Sequence, residues 1–595
     1  MLPIMRSKNQ TNLYSISSFG GYNPGYSRKV NELKDCMNTS SENYPALCSL
    51  KKPASVRSLW GNALTAGYFD ELYTLEYLGE ESGTIKLCTE NLQTEILSYT
   101  ERSQLEHERK LIFMKDEILI IPDNMIYYTN TAKVKAGCAI ESISHSAAEE
   151  KYKKESLTDG NLPMTYNTWY SAYITGNSIV SMSASYRISS TSYMFYDFGI
   201  SNAFEIGDIV TVKMNVKPIN ATQDAAYRAY TKKMAEGITL QIKDMVKTTH
   251  NTPSGMVTEY TELHFDDNSI DMGGYKDIYV YSMSVEKGIP NFVDVCTQEN
   301  RMWGVTKDEI HASKLGDSSE WNDFSVDSYG TLPASSFTTE VESDGEFTAI
   351  TSYNGNIIAF KEDCIHKVYG SEPAEFSVSR IDCPGVYKGA RDSICTINGI
   401  LYYIGRNGAY AISGSLPRLI SNNIIAPGFT KARANGDNRF YYIECEYPEG
   451  KKTYIYDTEF KLWHMSKNTY DTVCFVKAPD GMYVVSQKEI LKALSLPCDN
   501  WSFTFSFGTK EFSSKHICAF GIRYYLGENS QLSVMLQNRH NTYNLATTTK
   551  STNNGIITLN IPVSCDRDAS LIFEGKGEFS LTSLDIRYKE TGIND

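Results

Sequence analysis

Several kinds of signal are missing from this sequence, and each absence removes a class of function. The 13 cysteines run from Cys36 to Cys565 without a CxxC pair, so the usual zinc-ligand spacings are absent. Odd in number and dispersed, they read as buried thiols of a chain made in a reducing cytosol, not as a disulfide framework. No apolar run approaches the ~20 residues of a membrane helix. The stretch Met1-Leu-Pro-Ile-Met-Arg-Ser-Lys8 lacks the apolar core of a signal peptide, so action outside the producing cell would call for release by lysis. The GxSxG elbow, the GxxxxGK(S/T) loop and the HExxH helix do not occur, and no Gly-rich phosphate cradle follows a strand. Cations are outnumbered: 57 Lys and Arg stand against 71 Asp and Glu, a formal net charge of -14. A tight grip on nucleic acid needs clustered cations; a surface that DNA slides past does not. The pairs Lys51-Lys52 and Lys232-Lys233 read as solvated faces.

What is present points to strands. Tyrosine occurs 41 times and phenylalanine 24 times, a composition that favours sheets and broad assembly surfaces over helical bundles. A length of 595 residues implies two to four domains. The organising stretch is 300–413. Asn300 to Ser313, Asn354 to Gly370 and Asn398 to Ser413 each read as a polar turn, an apolar strand, a charged or Gly turn, and a second strand. The second turns fall at Lys307-Asp308, Glu362-Asp363 and Arg406-Asn407-Gly408. Asn-Gly favours tight hairpins because both residues tolerate positive φ. Units beginning at Asn354, Asn398, Asn438 and Asp480 recur every 40–44 residues, the period of β-propeller blades.

The expected fold is mainly β: a propeller of about six to seven blades with an inserted α+β domain and a C-terminal β-sandwich. Residues 1–58, rich in Ser, Asn, Gly and Tyr, read as an extended arm. Phe19, Tyr44 and Leu47 give it side chains to bury on a neighbouring subunit. Residues 59–134 hold the first blades, 135–295 the insertion, 296–495 the remaining blades and 496–595 the sandwich. The best helix is Asp224 to Glu236, closed by Gly237. Trp501-Ser-Phe-Thr-Phe-Ser-Phe507 alternates as a strand with one buried face does.

Two constellations invite chemistry. His311 and His366 hold equivalent repeat positions, but each follows Ile on a strand and no ligand set joins them, so a strand position is the expectation and no metal or cofactor is assigned. Asp317, Glu320 and Asp323 flank Trp321; carboxylates beside an aromatic occur in sugar-cleaving sites, while a polar loop capped by one Trp is the plainer reading. No catalytic residue is assigned.

Asn300-Arg-Met-Trp-Gly304, followed by Ala312-Ser-Lys-Leu-Gly-Asp317 and Trp321-Asn322, resembles a family of bacteriophage tail structural proteins. Phe360 to Asp363, Ile365-His366, Tyr369-Gly370, Leu401-Tyr-Tyr403 and Gly408-Ala-Tyr410 are similar to it too. So are Phe19-Gly-Gly21, Asp35-Cys-Met-Asn38 and Pro45-Ala-Leu47 of the arm. The type named by these motifs is the propeller-bearing nozzle, or tail tubular protein B, of short-tailed phages, with the muzzle of crAss-like phages a related form. The resemblance implies a non-enzymatic virion protein, made in the bacterial cytoplasm. It implies a homo-hexameric ring below portal and adaptor, contacts with tail fibres and the host envelope, and transient contact with exiting double-stranded DNA. In that setting the polar loop bearing Tyr329, Gly330, Thr331 and Pro333 is the candidate channel gate, and the ring lumen is expected to be acidic. The alternative is a propeller that binds or cleaves host-surface glycan through Trp321 and Asp317.

Overall fold

The computed structural model describes residues 11–99, 102–131, 289–321, 334–414, 416–467, 471–507, 515–538, 541–564 and 569–590, and between 132 and 288 separate strands and one helix. Seven four-stranded antiparallel sheets follow one another. Blade 1 spans strands Asn62–Tyr68 to Gln93–Tyr99, and blade 2 strands Lys110–Met114 to Lys133–Ala136. Blade 3 runs from Asp294–Gln298 to Phe337–Glu340, blade 4 from Ala349–Tyr353 to Ser377–Asp382, and blade 5 from Cys395–Ile397 to Arg418–Leu419. Blade 6 runs from Lys431–Gly436 to Leu462–Ser466. Blade 7 takes three strands from Thr472–Ala478, Gly481–Ser486 and Glu489–Leu496 and its fourth, Lys52–Ser58, from the other end of the chain. The first strands of the blades surround one axial cavity. The molecule is thus a seven-bladed β-propeller whose ring is closed by an N-terminal strand.

The turns explain the hairpins. Asn354 and Gly355 have φ of 49° and 70°, Asn398 and Gly399 49° and 77°, the double positive φ that suits the right-handed twist of paired strands. Each joins the first and second strands of its blade, in blades 4 and 5. Between blades lie slabs of apolar side chains. Trp303, Val305 and Ile310 of blade 3 pack with Ile350, Ile357 and Val368 of blade 4. Tyr402, Tyr441 and Tyr456 join blades 5 and 6.

The insertion separates blades 2 and 3. Its described strands form a seven-stranded antiparallel sheet and a two-stranded one, beside the helix Ala225–Glu236. The insertion's limits are narrower than 135–295, because Lys133–Ala136 completes blade 2 and Asp294–Gln298 opens blade 3.

The reading of residues 1–58 as a free arm is corrected. Asn12–Ile16 pairs with the last strand, Phe579–Glu590, and Leu47–Ser49 pairs with the same strand further along. Asp35–Met37 adds to Trp501–Ser506 in the opposite sheet. The sandwich is therefore built from both ends of the chain. Its core stacks Phe503 on Phe573 at 4.8 Å and Trp501 on Phe579 at 4.3 Å. Phe19 and Leu47 are buried within it, and Tyr44 stacks on Phe460 of blade 6 at 4.1 Å. Burying a Phe or Leu side chain is worth about 1.5–3 kcal/mol, and that stabilisation is already taken up inside this chain, so these three residues are not offered to a neighbour.

Candidate functional site

The segment that carries the family resemblance folds, over its described residues, into a hydrogen-bonded loop of blade 3. The Arg301 guanidinium is buried and donates to the carbonyls of Ser313 at 2.8 Å and Ser335 at 2.6 Å. The Ser313 hydroxyl accepts from the Met302 amide at 3.0 Å, and the Gly316 amide donates to the Asn300 carbonyl. Gly304 has no room for a Cβ, which would lie 2.5 Å from the Phe292 ring. Asp317 accepts from the amide and hydroxyl of Ser319, and Glu320 pairs with Lys314 at 2.9 Å. Ser318 reaches across to blade 2 and donates to Glu117, whose pKa is pushed up by burial.

Trp321 closes this loop. It is fully buried, donates from Nε1 to the Ser318 carbonyl at 2.9 Å, and packs on Phe292 with ring centroids 4.4 Å apart. Its neighbours include Ile112, Met114 and Ile121 of blade 2. It is a wedge between blades 2 and 3, with no face for a sugar to stack on. Asp317 and Glu320 hold the loop's own donors, so the carboxylate-and-aromatic reading of this segment is corrected to a structural one. Asp323 and the gate candidates Tyr329, Gly330, Thr331 and Pro333 lie outside the described residues.

His311 and His366 do occupy equivalent places, on the third strands of blades 3 and 4. Each meets a Phe edge-to-face at 5.6 Å, Phe292 and Phe347 respectively. His311 is held by Thr338 and Glu309, and His366 by Ser343 and Cys364. Burial brings the His366 pKa down to about 4, with the Lys361 charge acting the same way.

The cavity along the propeller axis has a volume of about 1070 Å³. Its wall holds charged residues that the sequence reading did not single out. Lys110 lies 2.5 Å from the fully buried Asp294, which also accepts from the amides of Val295 and Ile350, tying blades 2, 3 and 4 together. Arg391 donates to the carbonyls of Val293 and Glu108, both at 2.7 Å. Burial works against its charge, but Asp392, Asp294 and Glu108 outweigh it and raise the pKa. Lys431 pairs with Glu108, and Arg433 stands 3.6 Å from Glu444 and 3.7 Å from Glu446. Each of these cations meets a carboxylate. Cys474 in the same wall has its pKa pushed up to about 12 by burial, which leaves it a protonated, weakly nucleophilic thiol. No group of three or more metal-ligating side chains is gathered among the described residues. None of these residues was legible from spacing, because Lys110 meets Asp294 and Lys431 meets Glu108 across different blades, and Arg433 meets Glu444 and Glu446 across neighbouring strands of blade 6.

No protein-family profile matches this chain, and no curated protein does. Among solved structures it is similar to Kluyveromyces lactis Hsv2, at 8% identity over 70% of this chain and 98% of that one, with a TM-score of 0.23. The extracellular domain of a putative one-component system of B. thetaiotaomicron is 10% identical over 94% and 96% of the two chains, with a TM-score of 0.22. An exo-beta-1,3-galactanase from Phanerochaete chrysosporium is 10% identical over 75% and 100%, with a TM-score of 0.17. Superpositions this loose carry no functional argument; the propeller rests on the sheet order of this chain.

Proposed function

We propose that the chain is a non-enzymatic structural subunit of a bacteriophage tail, of the nozzle type, assembling with copies of itself into a ring through which genomic DNA is retained and ejected. The placement in a phage tail rests on the motif resemblance. The observation that carries the structural role is how the resembling segment is used: Arg301, Ser313, Gly316 and Asp317 are spent on fixing the loop of blade 3, and Ser318 and Trp321 on bracing that loop against blade 2. A segment whose polar groups and aromatics satisfy one another supplies rigidity.

In this reading the DNA path lies between subunits. The axial cavity, at ~30 Å³ per water, holds about three dozen waters and is no passage for a duplex whose major groove alone is about 12 Å wide. Portal and adaptor above, tail fibres beside and the host envelope below are the partners that the reading calls for, with the virion as its location. The test is the mass of the purified protein in solution, alone and mixed with portal and adaptor. A closed ring of about six copies, alone or formed on the adaptor, is expected. A stable monomer or trimer that ignores the adaptor would overturn the proposal.

A further inference from the structure

A second cavity, about 420 Å³, lies where the outer parts of blades 5 and 6 meet the N-terminal loop around Tyr22 and Asn23. Its chemistry differs from that of the axis. Tyr402 and Tyr456 stand with ring centroids 6.2 Å apart, and both line the cavity. Among the described residues neither hydroxyl has a hydrogen-bond partner, in contrast to Tyr353, Tyr403, Tyr441, Tyr442 and Tyr447, which all donate to the protein. Neither hydroxyl is a sealed, orphaned group, so each keeps some exposure in residues that line the cavity. Buried tyrosines usually find a partner for their hydroxyl; here that partner has to come from the cavity.

Two cations line the same cavity. Arg418, on the outer strand of blade 5, and Lys461, in the turn before the last strand of blade 6, are both exposed and both line the cavity. Neither belongs to any ion pair among the described residues, whereas Arg380, Arg391, Arg406, Arg433 and Arg439 all do. The Arg418 charge is felt at Tyr456, where it works against the upward pull of burial on the phenol. Against these two cations the wall holds one carboxylate, Glu32, whose Oε2 accepts from the Asn23 side chain and the Lys29 amide, both at 2.8 Å. The local balance is therefore positive in a chain of net charge -14. The rest of the wall is mixed: Ile400, Ile424 and the half-buried Tyr22 on the apolar side, Asn422 and Thr458 on the polar side.

We propose that this cavity binds a carboxylate-bearing saccharide, with Arg418 and Lys461 taking the carboxylate and the Tyr402 and Tyr456 hydroxyls taking hydroxyls of the sugar ring. Three features select that class. A guanidinium fork matches a carboxylate in geometry. Phenol hydroxyls donate and accept, as sugar hydroxyls require. The volume falls in the range of about 300–1,000 Å³ typical of small-ligand sites. The inference goes beyond the conduit reading and does not depend on it; a ring subunit and a monomer would carry the same cavity.

The test is calorimetry and saturation-transfer NMR on the full-length protein with glucuronic acid, against glucose, acetate and inorganic phosphate at matched ionic strength. Glucuronic acid is expected to bind at least ten-fold more tightly than any of the three. Arg418→Gln is expected to weaken it by at least ten-fold and Tyr456→Phe by several-fold. Arg418 and Lys461 are exposed, so Arg418→Gln and Lys461→Gln leave the fold intact, and an unchanged melting curve checks this. A polyuronate that binds more tightly than the monomer would identify a polymer as the source, and binding of the free acid alone a soluble sugar acid; each supports the site. Equal affinity for glucuronic acid, acetate and phosphate, or wild-type affinity in both Arg418→Gln and Lys461→Gln, would overturn it.

Discussion

At the scale of single residues, burial decides what a polar side chain means. His464 shows this at the junction of propeller and sandwich. It is buried, its Nδ1 lies 3.1 Å from the Thr39 hydroxyl, and its Nε2 has no hydrogen-bond partner. Burial lowers its pKa to about 4; the Asp457 charge pulls upward and the Arg439 charge downward. The unfolded value is about 6.5, so between pH 6.5 and about 4 the unfolded chain takes up a proton that the folded chain refuses. Stability contributed by this residue is complete above pH 6.5, falls as the pH drops through that window and levels off below about 4. The gap corresponds to about 3 kcal/mol at most. Urea unfolding of the wild type and of His464→Gln at pH 7 and pH 4.5 checks it. The wild type is expected to lose about 2 kcal/mol more than the variant across that interval, and equal losses would refute the assignment. Trp321 carries the same lesson in reverse. Beside three carboxylates in sequence it resembles a sugar platform, yet it is fully buried, because the Ala312-to-Trp321 loop folds back against blade 2, a contact that no local pattern announces.

At the scale of elements, legibility followed the range of the interaction. Hairpins closed by Asn354-Gly355 and Asn398-Gly399, the Trp501–Ser506 strand and the helix Ala225–Glu236 all stand out in sequence, because each is specified within about a dozen residues. The closing strand of blade 7 does not. Lys52-Pro-Ala-Ser-Val-Arg-Ser58 has no apolar alternation, since it is an outer strand with one edge free, the place where Pro is tolerated. Its partner, Glu489–Leu496, lies more than four hundred residues away, and such long-range pairing leaves no periodic trace. The sandwich strands drawn from the N-terminal region are two to five residues long, too short to show a period. An arm and an integral part of the fold predict different outcomes for a chain that begins at residue 59. With an arm, it would melt as the full chain does. With the observed pairing, it loses the fourth strand of blade 7 and the sandwich core contributed by Ile16, Phe19, Leu33 and Leu47. We expect it to be insoluble or to lack a cooperative thermal transition by circular dichroism; wild-type melting would refute the closure.

At the scale of the whole molecule, the question is whether propeller and sandwich behave as one body. Among the contacts that join them is a network around Arg439 of blade 6. Its guanidinium donates to the Ser41 carbonyl at 2.6 Å, to the Glu42 carbonyl at 3.2 Å and to the fully buried Asp457 at 2.7 Å. It also lies 5.0 Å from the Phe460 ring, the ring on which Tyr44 stacks. Ser41 donates to the same Asp457 oxygen at 2.5 Å. Burial alone would push the Asp457 pKa up, but the hydrogen bonds from Arg439, Ser41 and the Phe460 amide bring it below the ordinary carboxylate value. One arginine thus holds the segment before the Leu47–Ser49 strand, a blade of the propeller and a buried carboxylate in a single network. Removing one partner of a buried pair costs about 3–5 kcal/mol, because the other charge is left behind. Here that cost falls on the seam between the two bodies. Arg439→Ala is therefore expected to lower the melting temperature and to split one unfolding transition into two, the sandwich separating from the propeller at the lower temperature. Differential scanning calorimetry reads both effects. A single transition shifted by less than a degree would mean that the network is incidental, and that the other contacts across the seam, Thr39 with His464, Asn38 with Met465 and Tyr44 with Phe460 among them, hold the two domains together without it.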